Sequence, residues 1–445
     1  MDSVFKKDIK VYFIGIGGIG MSALAAYLKD QGFRVFGSDR AYNVNCEKLA
    51  LKGVKVYKTH SEKNLKDVDV VIVNSAINDD NVELAYAKKN KLPIFTRAEL
   101  LKLISDRFRT TIGIAGSHGK TTMTSLVSHI LYLSDKKFTS FIGGNDKKLG
   151  NYFNRGEEIL VSEVCEFKKN IDYFSPSIGV VLNVDNDHLD SYDGLDQLKS
   201  AFLSYLDRSV CPVVNADDKT LSSYPKSVTF AITDKSAEYV SKESFFGKTA
   251  SFTLLKNGKT FLRIKSKLEG KHNVYNILAA VAVSDTLGIN KRIIKRAVAS
   301  FDGVKRRNEF LGTINGAKCY GDYAHHPREI EAYINALNVK NSNRVYFVFQ
   351  PHTYSRTRIL FNEFVVVLSR LKNLYLYRTY SAREEVDEKY SAKALAKAVS
   401  GSEYYDSFDE LMNNLKKRVK KGDKVCFVGA GDVYDLAVEQ IEKGL

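Results

Sequence analysis

The sequence predicts an α/β protein with parallel sheets in three domains. Short apolar runs typical of buried strands alternate with helical patterns along most of the 445 residues. Twice, such a strand runs directly into a glycine-rich loop and then a helix, at residues 15–20 and again at residues 116–122. A third series of strands and helices begins near Arg306. Two starts of this kind indicate two nucleotide-binding sheets, and the third series indicates one more doubly wound layer.

The first segment has the pattern of a Rossmann-like sheet. Val11–Ile14 predicts a strand, the sequence GIGGIG follows at 15–20, and a helix begins at Met21. The next strand ends at Ser38 and Asp39, about 19 residues after the last of these glycines. The glycines allow a tight turn and a close approach of the backbone to a pyrophosphate at the helix N-terminus. The motif therefore predicts a bound diphosphate, either a nicotinamide or flavin cofactor or another diphosphate such as a UDP-sugar.

Residues 110–125, TTIGIAGSHGKTTMTS, predict a phosphate-binding loop for a nucleotide triphosphate. In such loops the backbone amides and the helix N-terminus face the phosphates, a lysine spans the outer phosphates, and a hydroxyl ligates magnesium. The match is imperfect, because the usual pattern has an earlier glycine where this chain has Ile114. The candidate ATP-binding residues of this P-loop-type sheet are Gly116, Ser117, His118, Gly119, Lys120, Thr121 and Thr122.

Two further strands of the middle segment end in residues suited to a metal. Ile159–Val164 carries Glu163 near its end, and Ile178–Val184 leads into a polar stretch that contains His188. Ligands gather at the carboxyl ends of parallel strands, so both side chains are expected near the phosphate loop. With Thr121 they form a candidate site for Mg²⁺ or Mn²⁺. Residues from Val228 to about Ile264 alternate as short antiparallel strands do.

The third segment carries two polar clusters, each directly after a predicted strand. DYAHHP spans 322–327 and QPHTYSRTR spans 350–358. Both strands belong to one predicted sheet, so both clusters should face the same rim. Histidine and arginine at such a rim can hold a carboxylate and stabilise negative charge as it develops.

The overall charge favours no particular macromolecular partner. The formal net charge is +15 and the pI is about 9.2, values that would suit binding to nucleic acid or to a membrane surface. The basic residues are spread along the chain, however, and a basic protein also suits substrates that carry several phosphates. The five cysteines are widely separated, the N-terminal residues 1–10 have no apolar core, and no long apolar run occurs. These features predict a cytoplasmic protein without membrane insertion.

Nine sequence blocks, taken together, resemble the Mur ligase family over nearly the full length. In order they are IGIGGIGMSALA, VNSAINDDNVELAYAKKNKLPIFTRAELL, GSHGKTT, SEVCEF, LNVDNDHLD, GKHNVYNILAA, FDGVKRRNEFLG, GDYAHHPREI and FQPHTYSRTR. The resemblance implies a UDP-sugar domain over 1–108, a central ATP-binding domain over 109–307 and a Rossmann-like C-terminal domain over 308–445 that completes the site.

The resemblance is strongest to the branch of the family that adds L-alanine. It implies ATP, UDP-N-acetylmuramate and L-alanine as substrates, with Mg²⁺ or Mn²⁺, in peptidoglycan precursor synthesis. The lactyl carboxylate would attack the γ-phosphate of ATP to form an acyl phosphate, and the alanine amine would then displace phosphate. The implied protein is a monomer or a weak homodimer that binds no nucleic acid.

The matching motifs also imply roles for individual residues. The UDP-sugar would contact Gly15, Gly17, Gly18, Ile19, Gly20, Ser38, Asp39, Ser75, Ala76 and Arg97. The metal ligands would be Thr121, Glu163 and His188. Beyond the phosphate loop, ATP would contact His272, Asn273, Arg307 and Asp322. The catalytic residues would be Lys120, His326 and Arg356.

The sequence departs from the family pattern at several positions, and three alternatives stay open. Many relatives have arginine at Thr353, which puts more weight on Arg356, and SEVCEF leaves the role of Glu166 undefined. Phe202 stands where relatives that add later amino acids have a carbamylated lysine, which favours the alanine branch.

The alternative functions are a murein tripeptide recycling ligase, a nicotinamide-dependent oxidoreductase built on GIGGIG, and a non-catalytic nucleotide-binding scaffold.

Overall fold

A computed structural model describes residues 8–74, 77–185, 192–246, 249–337, 344–382 and 384–443. The chain divides into two compact units, Met1–Gly303 and Val304–Leu445. No helix among these residues is both long enough and apolar enough to cross a membrane.

The strands have the following bounds. They are β1 (Lys10–Ile14), β2 (Arg34–Ser38), β3 (Lys55–Tyr57), β4 (Val70–Val73), β5 (Ile94–Thr96), β6 (Thr110–Ala115), β7 (Phe138–Asp146), β8 (Gly150–Asn154), β9 (Ile159–Glu163), β10 (Ile178–Val181), β11 (Cys211–Asn215), β12 (Val228–Ala231), β13 (Tyr239–Phe246), β14 (Ala250–Lys256), β15 (Lys259–Ser266), β16 (Glu309–Ile314), β17 (Ala317–Asp322), β18 (Val345–Phe349), β19 (Asn373–Tyr377), β20 (Glu403–Tyr405) and β21 (Lys424–Val428).

The helices have the following bounds. They are α1 (Ile19–Asp30), α2 (Val44–Leu51), α3 (Val82–Lys89), α4 (Arg97–Ser105), α5 (Lys120–Leu133), α6 (Leu195–Asp207), α7 (Lys271–Thr286), α8 (Lys291–Ser300), α9 (Pro327–Ala336), α10 (Tyr354–Ile359), α11 (Phe361–Leu368), α12 (Ala392–Ala398), α13 (Phe408–Arg418) and α14 (Val433–Glu442).

The first sheet is wholly parallel, with the strand order β3-β2-β1-β4-β5. The central strand β1 is apolar on both faces because helices cover both sides, as parallel sheets require. The glycine loop is attached to the end of β2, since the amides of Gly15 and Ile16 both donate to the carbonyl oxygen of Ser38, at 2.9 and 3.0 Å.

The second sheet has ten strands, in the order β15-β14-β13-β12-β11-β10-β6-β9-β7-β8. Strand β6, which leads into the phosphate loop, lies between β9 and β10 and pairs with both in parallel. The prediction of antiparallel strands from Val228 onward is correct for β13 to β15 and wrong for β12, which is parallel to both of its neighbours. The hairpin formed by β7 and β8 was not predicted from the sequence.

The first two sheets share one apolar core, which explains why they belong to one compact unit. Helix α1 contacts the first sheet on one side and the hairpin of β7 and β8 on the other. The ring of Tyr27 in α1 meets the rings of Phe141 and Tyr152 edge-on, with centroids 5.8 and 6.4 Å apart. Because α1 begins at the glycine loop, this packing fixes the loop against the second sheet.

The second unit contains a six-stranded sheet in the order β16-β17-β21-β18-β19-β20. Only β16 is antiparallel to its neighbour; the other pairs are parallel. Strands β17 and β18 lie on either side of β21 and point the same way. The polar clusters that follow these two strands therefore lie at the same rim, as the sequence predicted.

Candidate active site

The phosphate loop between β6 and α5 has a backbone that requires glycine at two positions. Gly116 and Gly119 have φ angles of +131° and +87°, in a region that other residues rarely adopt. A Cβ atom on Gly119 would lie 2.5 Å from Oδ1 of Asn276 in α7, and one on Gly116 would lie 3.0 Å from the amide nitrogen of Leu182. The loop is thus enclosed by the end of β10 and by α7, and α5 begins directly after Gly119.

Asn183, just beyond β10, holds the phosphate loop in place. Its side chain accepts a hydrogen bond from the His118 amide at 2.8 Å and donates one to the His118 carbonyl at 3.0 Å. The Ser117 hydroxyl accepts a hydrogen bond from the Asp185 amide at 2.9 Å. The side chains of Asn183 and Ser117 therefore brace the backbone of the loop. Asn183 was not among the predicted site residues, although an asparagine after a parallel strand beside a phosphate loop is a signal for such a contact.

Lys120, predicted to contact the outer phosphates, lies folded over the loop. Its ammonium donates to the carbonyl oxygens of Gly116 and Ser117 at 2.6 and 3.2 Å, and to both carboxylate oxygens of Glu166 at 3.1 Å each. Burial lowers the pKa of Lys120, but the charge and hydrogen bond of Glu166, together with Cys165 and Glu163, raise it by more, so the pKa lies above its ordinary value. The ammonium group therefore stays charged at neutral pH.

Two of the three predicted metal ligands are described. Thr121 is buried in the first turn of α5, and Glu163 ends β9 and pairs in register with Ile114 of β6. One carboxylate oxygen of Glu163 accepts a hydrogen bond from the Gly143 amide at 2.6 Å. The third predicted ligand, His188, lies outside the described residues. Within the described part of the chain, no three His, Cys, Asp or Glu side chains form a cluster that could hold a metal ion.

A cavity of about 280 Å³ extends from the glycine loop to Glu163. Gly18, Ile19 and Gly20 line it on the side of the first sheet, together with Arg97 at the start of α4. The second sheet contributes residues from β7 and from the end of β9; they are Phe141, Ile142, Gly143, Ser162, Glu163 and Cys165. The predicted diphosphate loop and a predicted metal ligand therefore border one space.

Side chains that follow β2 hold the glycine loop. The backbone amide of Gly17 donates to the Asp39 carboxylate at 2.9 Å. The Gly17 carbonyl accepts hydrogen bonds from the side-chain amides of Asn43 and Asn45 at 3.2 and 3.0 Å. From the second sheet, Asn151 donates to the carbonyl of Ile19 at 2.8 Å. In nicotinamide-binding sheets an acid at this position bonds a ribose hydroxyl, whereas here it bonds the loop backbone.

The Ser38 hydroxyl lies in a buried polar network below the glycine loop. It donates to Glu83 at 2.5 Å and is 2.9 Å from Nδ1 of His60. Tyr12 and Asn64 donate to the same carboxylate, at 2.7 and 2.8 Å. The hydroxyl of Ser38 therefore forms hydrogen bonds within this network. The backbone carbonyl of Ser38 forms the hydrogen bonds to the glycine loop. Two other predicted sugar contacts, Ser75 and Ala76, lie outside the described residues.

The predicted adenine contacts, His272 and Asn273, lie in the first turn of α7. Asn276, one turn on, donates to the Asn273 side chain at 3.1 Å and packs against Gly119. The start of α7 is therefore linked to the phosphate loop. Asn276 belongs to the motif GKHNVYNILAA but was not among the predicted site residues.

The predicted residues of the second unit gather after β17. Asp322 ends the strand, and its carboxylate accepts hydrogen bonds from the amides of Asn308 and Ala324 at 2.7 and 2.9 Å. Burial raises the pKa of Asp322 above its ordinary value, although the positive charge of Arg307 opposes this.

His326 caps α9, and its amide donates to Glu329 at 3.2 Å. Burial raises the pKa of Glu329, but the charges of His325 and Arg307 and hydrogen bonds to backbone amides lower it to about 2.

The second cluster of this unit, after β18, contains Arg356. Its guanidinium donates to the carbonyl of His352 at 2.9 Å. The His352 ring lies 6.1 Å from that of His325, which brings the two clusters together, and it stacks on Tyr380 at 5.4 Å. Thr353 donates to the Glu384 carboxylate at 2.5 Å.

The fold and these loops define a Mur ligase. The Mur ligase family, catalytic domain, matches residues 10–109, the Mur ligase middle domain matches 114–284, and the Mur ligase, glutamate ligase domain, matches 306–431. These matches cover most of the chain, which belongs to the Mur ligase family. The predicted family and the predicted three-domain α/β class are confirmed.

The relatives are similar over almost their whole length. A UDP-N-acetylmuramate–L-alanine ligase of Clostridium acetobutylicum is 38% identical over 97% of both chains, and one of Caldicellulosiruptor saccharolyticus is 39% identical over 95% of this chain and 96% of that protein. The crystal structure of a UDP-N-acetylmuramate-alanine ligase from Thermotoga maritima superposes with a TM-score of 0.84 at 28% identity, covering 98% of this chain and 99% of the other. A murein peptide ligase from Psychrobacter arcticus has a TM-score of 0.73 at 20% identity, covers 98% of each chain, and shows the fold alone.

Proposed function

We propose that the protein is an ATP-dependent ligase that joins L-alanine to the lactyl carboxylate of UDP-N-acetylmuramate, in cytoplasmic peptidoglycan precursor synthesis. Relatives of that name, at 38 and 39% identity over nearly the whole chain, support this function. The structural observation that carries the proposal is the cavity bordered by both the glycine loop and Glu163. A UDP-sugar whose diphosphate lies on the glycine loop would extend its carboxylate toward the phosphate loop.

The chemistry explains why the enzyme needs ATP. A carboxylate does not react with amines at neutral pH, because its oxygen is a poor leaving group. A lactyl oxygen bonds to the γ-phosphorus and ADP leaves, which gives an acyl phosphate. The alanine nitrogen then bonds to the carbonyl carbon, the nitrogen loses a proton, and inorganic phosphate leaves with the former carboxylate oxygen.

Residues of the first unit would hold the two phosphate-bearing substrates. The backbone at 15–20 would hold the diphosphate of the sugar nucleotide, with Arg97 at the cavity wall as a cationic partner. The amides at 116–122 and the start of α5 would hold the phosphates of ATP. Lys120, charged at neutral pH, would stabilise negative charge on the phosphoryl group during transfer.

The oxygen donors at the start of α5 and at the end of β9 suit magnesium or manganese. Thr121 offers a hydroxyl and Glu163 a carboxylate, the hard oxygen ligands that these ions prefer, with His188 as the third predicted ligand. When bound, such an ion neutralises charge on the phosphates of ATP. The metal site is part of the proposal.

Residues of the second unit complete the proposed assignment. Arg307 and Asp322 would contact the ribose and phosphates of the nucleotide, and His326 and Arg356 would contact the alanine and the acyl phosphate. Arg356 is the residue suited to the alanine carboxylate, since its guanidinium can donate two parallel hydrogen bonds. We expect the enzyme to act as a monomer or weak homodimer.

A phosphate-release assay tests this function directly. The purified protein is incubated with ATP, Mg²⁺ and UDP-N-acetylmuramate, and each amino acid or a murein tripeptide is added in turn. We expect phosphate release that depends on the sugar nucleotide and is greatest with L-alanine. Release that needs the tripeptide, or no release with any amine, would overturn the proposal.

A further inference from the structure

Among the described residues, the carboxylate of Glu166 makes the closest charged contact to the phosphate-loop lysine. Only 1% of the Glu166 side chain is exposed, against 14% for Lys120, and both carboxylate oxygens lie 3.1 Å from Nζ. The two residues are 46 positions apart, so the pair is made by the tertiary structure and joins the end of β9 to the start of α5.

The backbone of Glu166 is itself held in place. Its carbonyl oxygen accepts a hydrogen bond from the Tyr192 hydroxyl at 2.7 Å and another from the Lys169 amide at 3.0 Å. The carboxylate therefore extends from a fixed point toward the phosphate loop. The sequence motif SEVCEF by itself assigned no role to this residue.

Binding of a nucleotide must change the contacts of the Lys120 ammonium. The group has three N–H donors, and it contacts the Gly116 carbonyl, the Ser117 carbonyl and the Glu166 carboxylate. Phosphate oxygens must replace at least one of these. Breaking the contact with a buried carboxylate costs far more than breaking the contact with a backbone carbonyl, because separating the members of a buried ion pair is strongly destabilising. The ammonium should therefore exchange its carbonyl contacts and keep Glu166.

We propose that Glu166 is a positioning residue that holds the Lys120 ammonium at a fixed place, before ATP binds and while phosphoryl transfer proceeds. The inference rests on the proposed function, in which Lys120 stabilises the transferring phosphoryl group. Glu166 acts through Lys120 and does not itself contact the reacting atoms.

Steady-state kinetics of Glu166→Gln test the role. The substitution keeps the shape and removes the charge that holds the ammonium. We expect kcat for alanine-dependent ADP release to fall about 10- to 100-fold, since small misplacements of a catalytic group have effects of this size. KM for ATP should change less than about threefold. Glu166→Asp, which keeps the charge, should retain intermediate activity.

Glu157→Gln is the matched control. Glu157 also lies in the first unit and accepts hydrogen bonds from Tyr27 and Arg107, at 2.9 and 3.2 Å, but does not contact the phosphate loop. It should keep kcat within about twofold of the wild type, as surface changes away from a site do. An unchanged kcat of the Glu166→Gln enzyme would overturn the proposal. A loss of kcat/KM that comes entirely from a higher KM for ATP would also overturn it.

A stability cycle gives a second measurement that needs no activity. Lys120→Ala should lower the urea midpoint because it removes the ammonium from a buried ion pair, and adding Glu166→Gln should restore most of the loss. Strictly additive effects would contradict the pairing. A wild-type protein without ligase activity would refute the proposed function but leave this stability coupling measurable, so the two failures are distinguishable.

Discussion

Replacing Gly119 with alanine should disable the phosphate loop while leaving the rest of the fold intact. Gly119 has a φ of +87° at the residue before α5. The new Cβ would lie 2.5 Å from Oδ1 of Asn276, closer than non-bonded atoms can approach. Asn276 must therefore turn away, and it then loses its hydrogen bond to Asn273, a predicted adenine contact.

The free-energy cost of Gly119→Ala has two parts, the strain of the left-handed backbone and the loss of the Asn276 hydrogen bond. A residue with a side chain in the left-handed region costs about 1–2 kcal/mol. The lost hydrogen bond of Asn276 adds about 1 kcal/mol. The total is about 2–3 kcal/mol. If half of this cost, about 1–1.5 kcal/mol, acts on ATP binding, the affinity for ATP should fall about 5- to 12-fold, because 1.4 kcal/mol corresponds to a tenfold change.

Gly258→Ala separates backbone strain from the clash. Gly258 has a similar φ, +73°, in the turn between β14 and β15, and a Cβ there meets no atom within 4 Å. Urea denaturation of both variants gives the two losses of stability, and titration with a fluorescent ATP analogue gives the affinities. Gly258→Ala should lose only about 1–2 kcal/mol and bind the analogue normally.

Two results would refute this reasoning. One is equal destabilisation by the two substitutions, which would mean that the contact with Asn276 relaxes at no cost. The other is wild-type affinity of Gly119→Ala for the ATP analogue, which would mean that the loop conformation at Gly119 does not matter for the nucleotide.

Three further predictions concern other parts of the molecule. Lys120→Ala should abolish alanine-dependent ADP release and keep binding of the UDP-sugar measured by calorimetry; retained ligase activity would contradict the mechanism. Asn151→Ala removes the hydrogen bonds to Ile19 and Ser22, so KM for the UDP-sugar should rise while KM for ATP stays constant, and a rise in both would point to general unfolding. Burial lowers the pKa of His352 from 6.5 to about 4, with the positive charges of His325 and Arg356 adding to the effect. The unfolded chain therefore takes up the proton first, and stability should fall as pH drops from 6.5 to 4. Urea midpoints across this range should show a smaller fall for His352→Phe; an identical fall would assign the effect to other groups.

Local patterns in the sequence predicted most of the strands and helices. The runs Val11–Ile14 and Ile112–Ala115 are apolar on both faces, as a parallel strand between two helix layers must be, and glycine follows each directly. The hairpin of β7 and β8 escaped prediction because Phe138–Asp146 mixes apolar and polar residues, and part of its burial comes from α1, a helix of the first domain. Strand β12 was given the wrong direction because alternation along one strand carries no information on the direction of its neighbours.

The sequence by itself determined the class of the protein, its two glycine loops and the residue types at its site, since these depend on short-range spacing and on strands that place their carboxyl ends together. Only the tertiary structure decided which groups meet. It paired Lys120 with Glu166, set Asn276 against Gly119, bonded Asp39 to the loop backbone and joined the glycine loop to Glu163 by one cavity. These partners are separated by tens to hundreds of residues, and their contacts depend on how α1, α5 and α7 pack on the sheets, which no local pattern specifies.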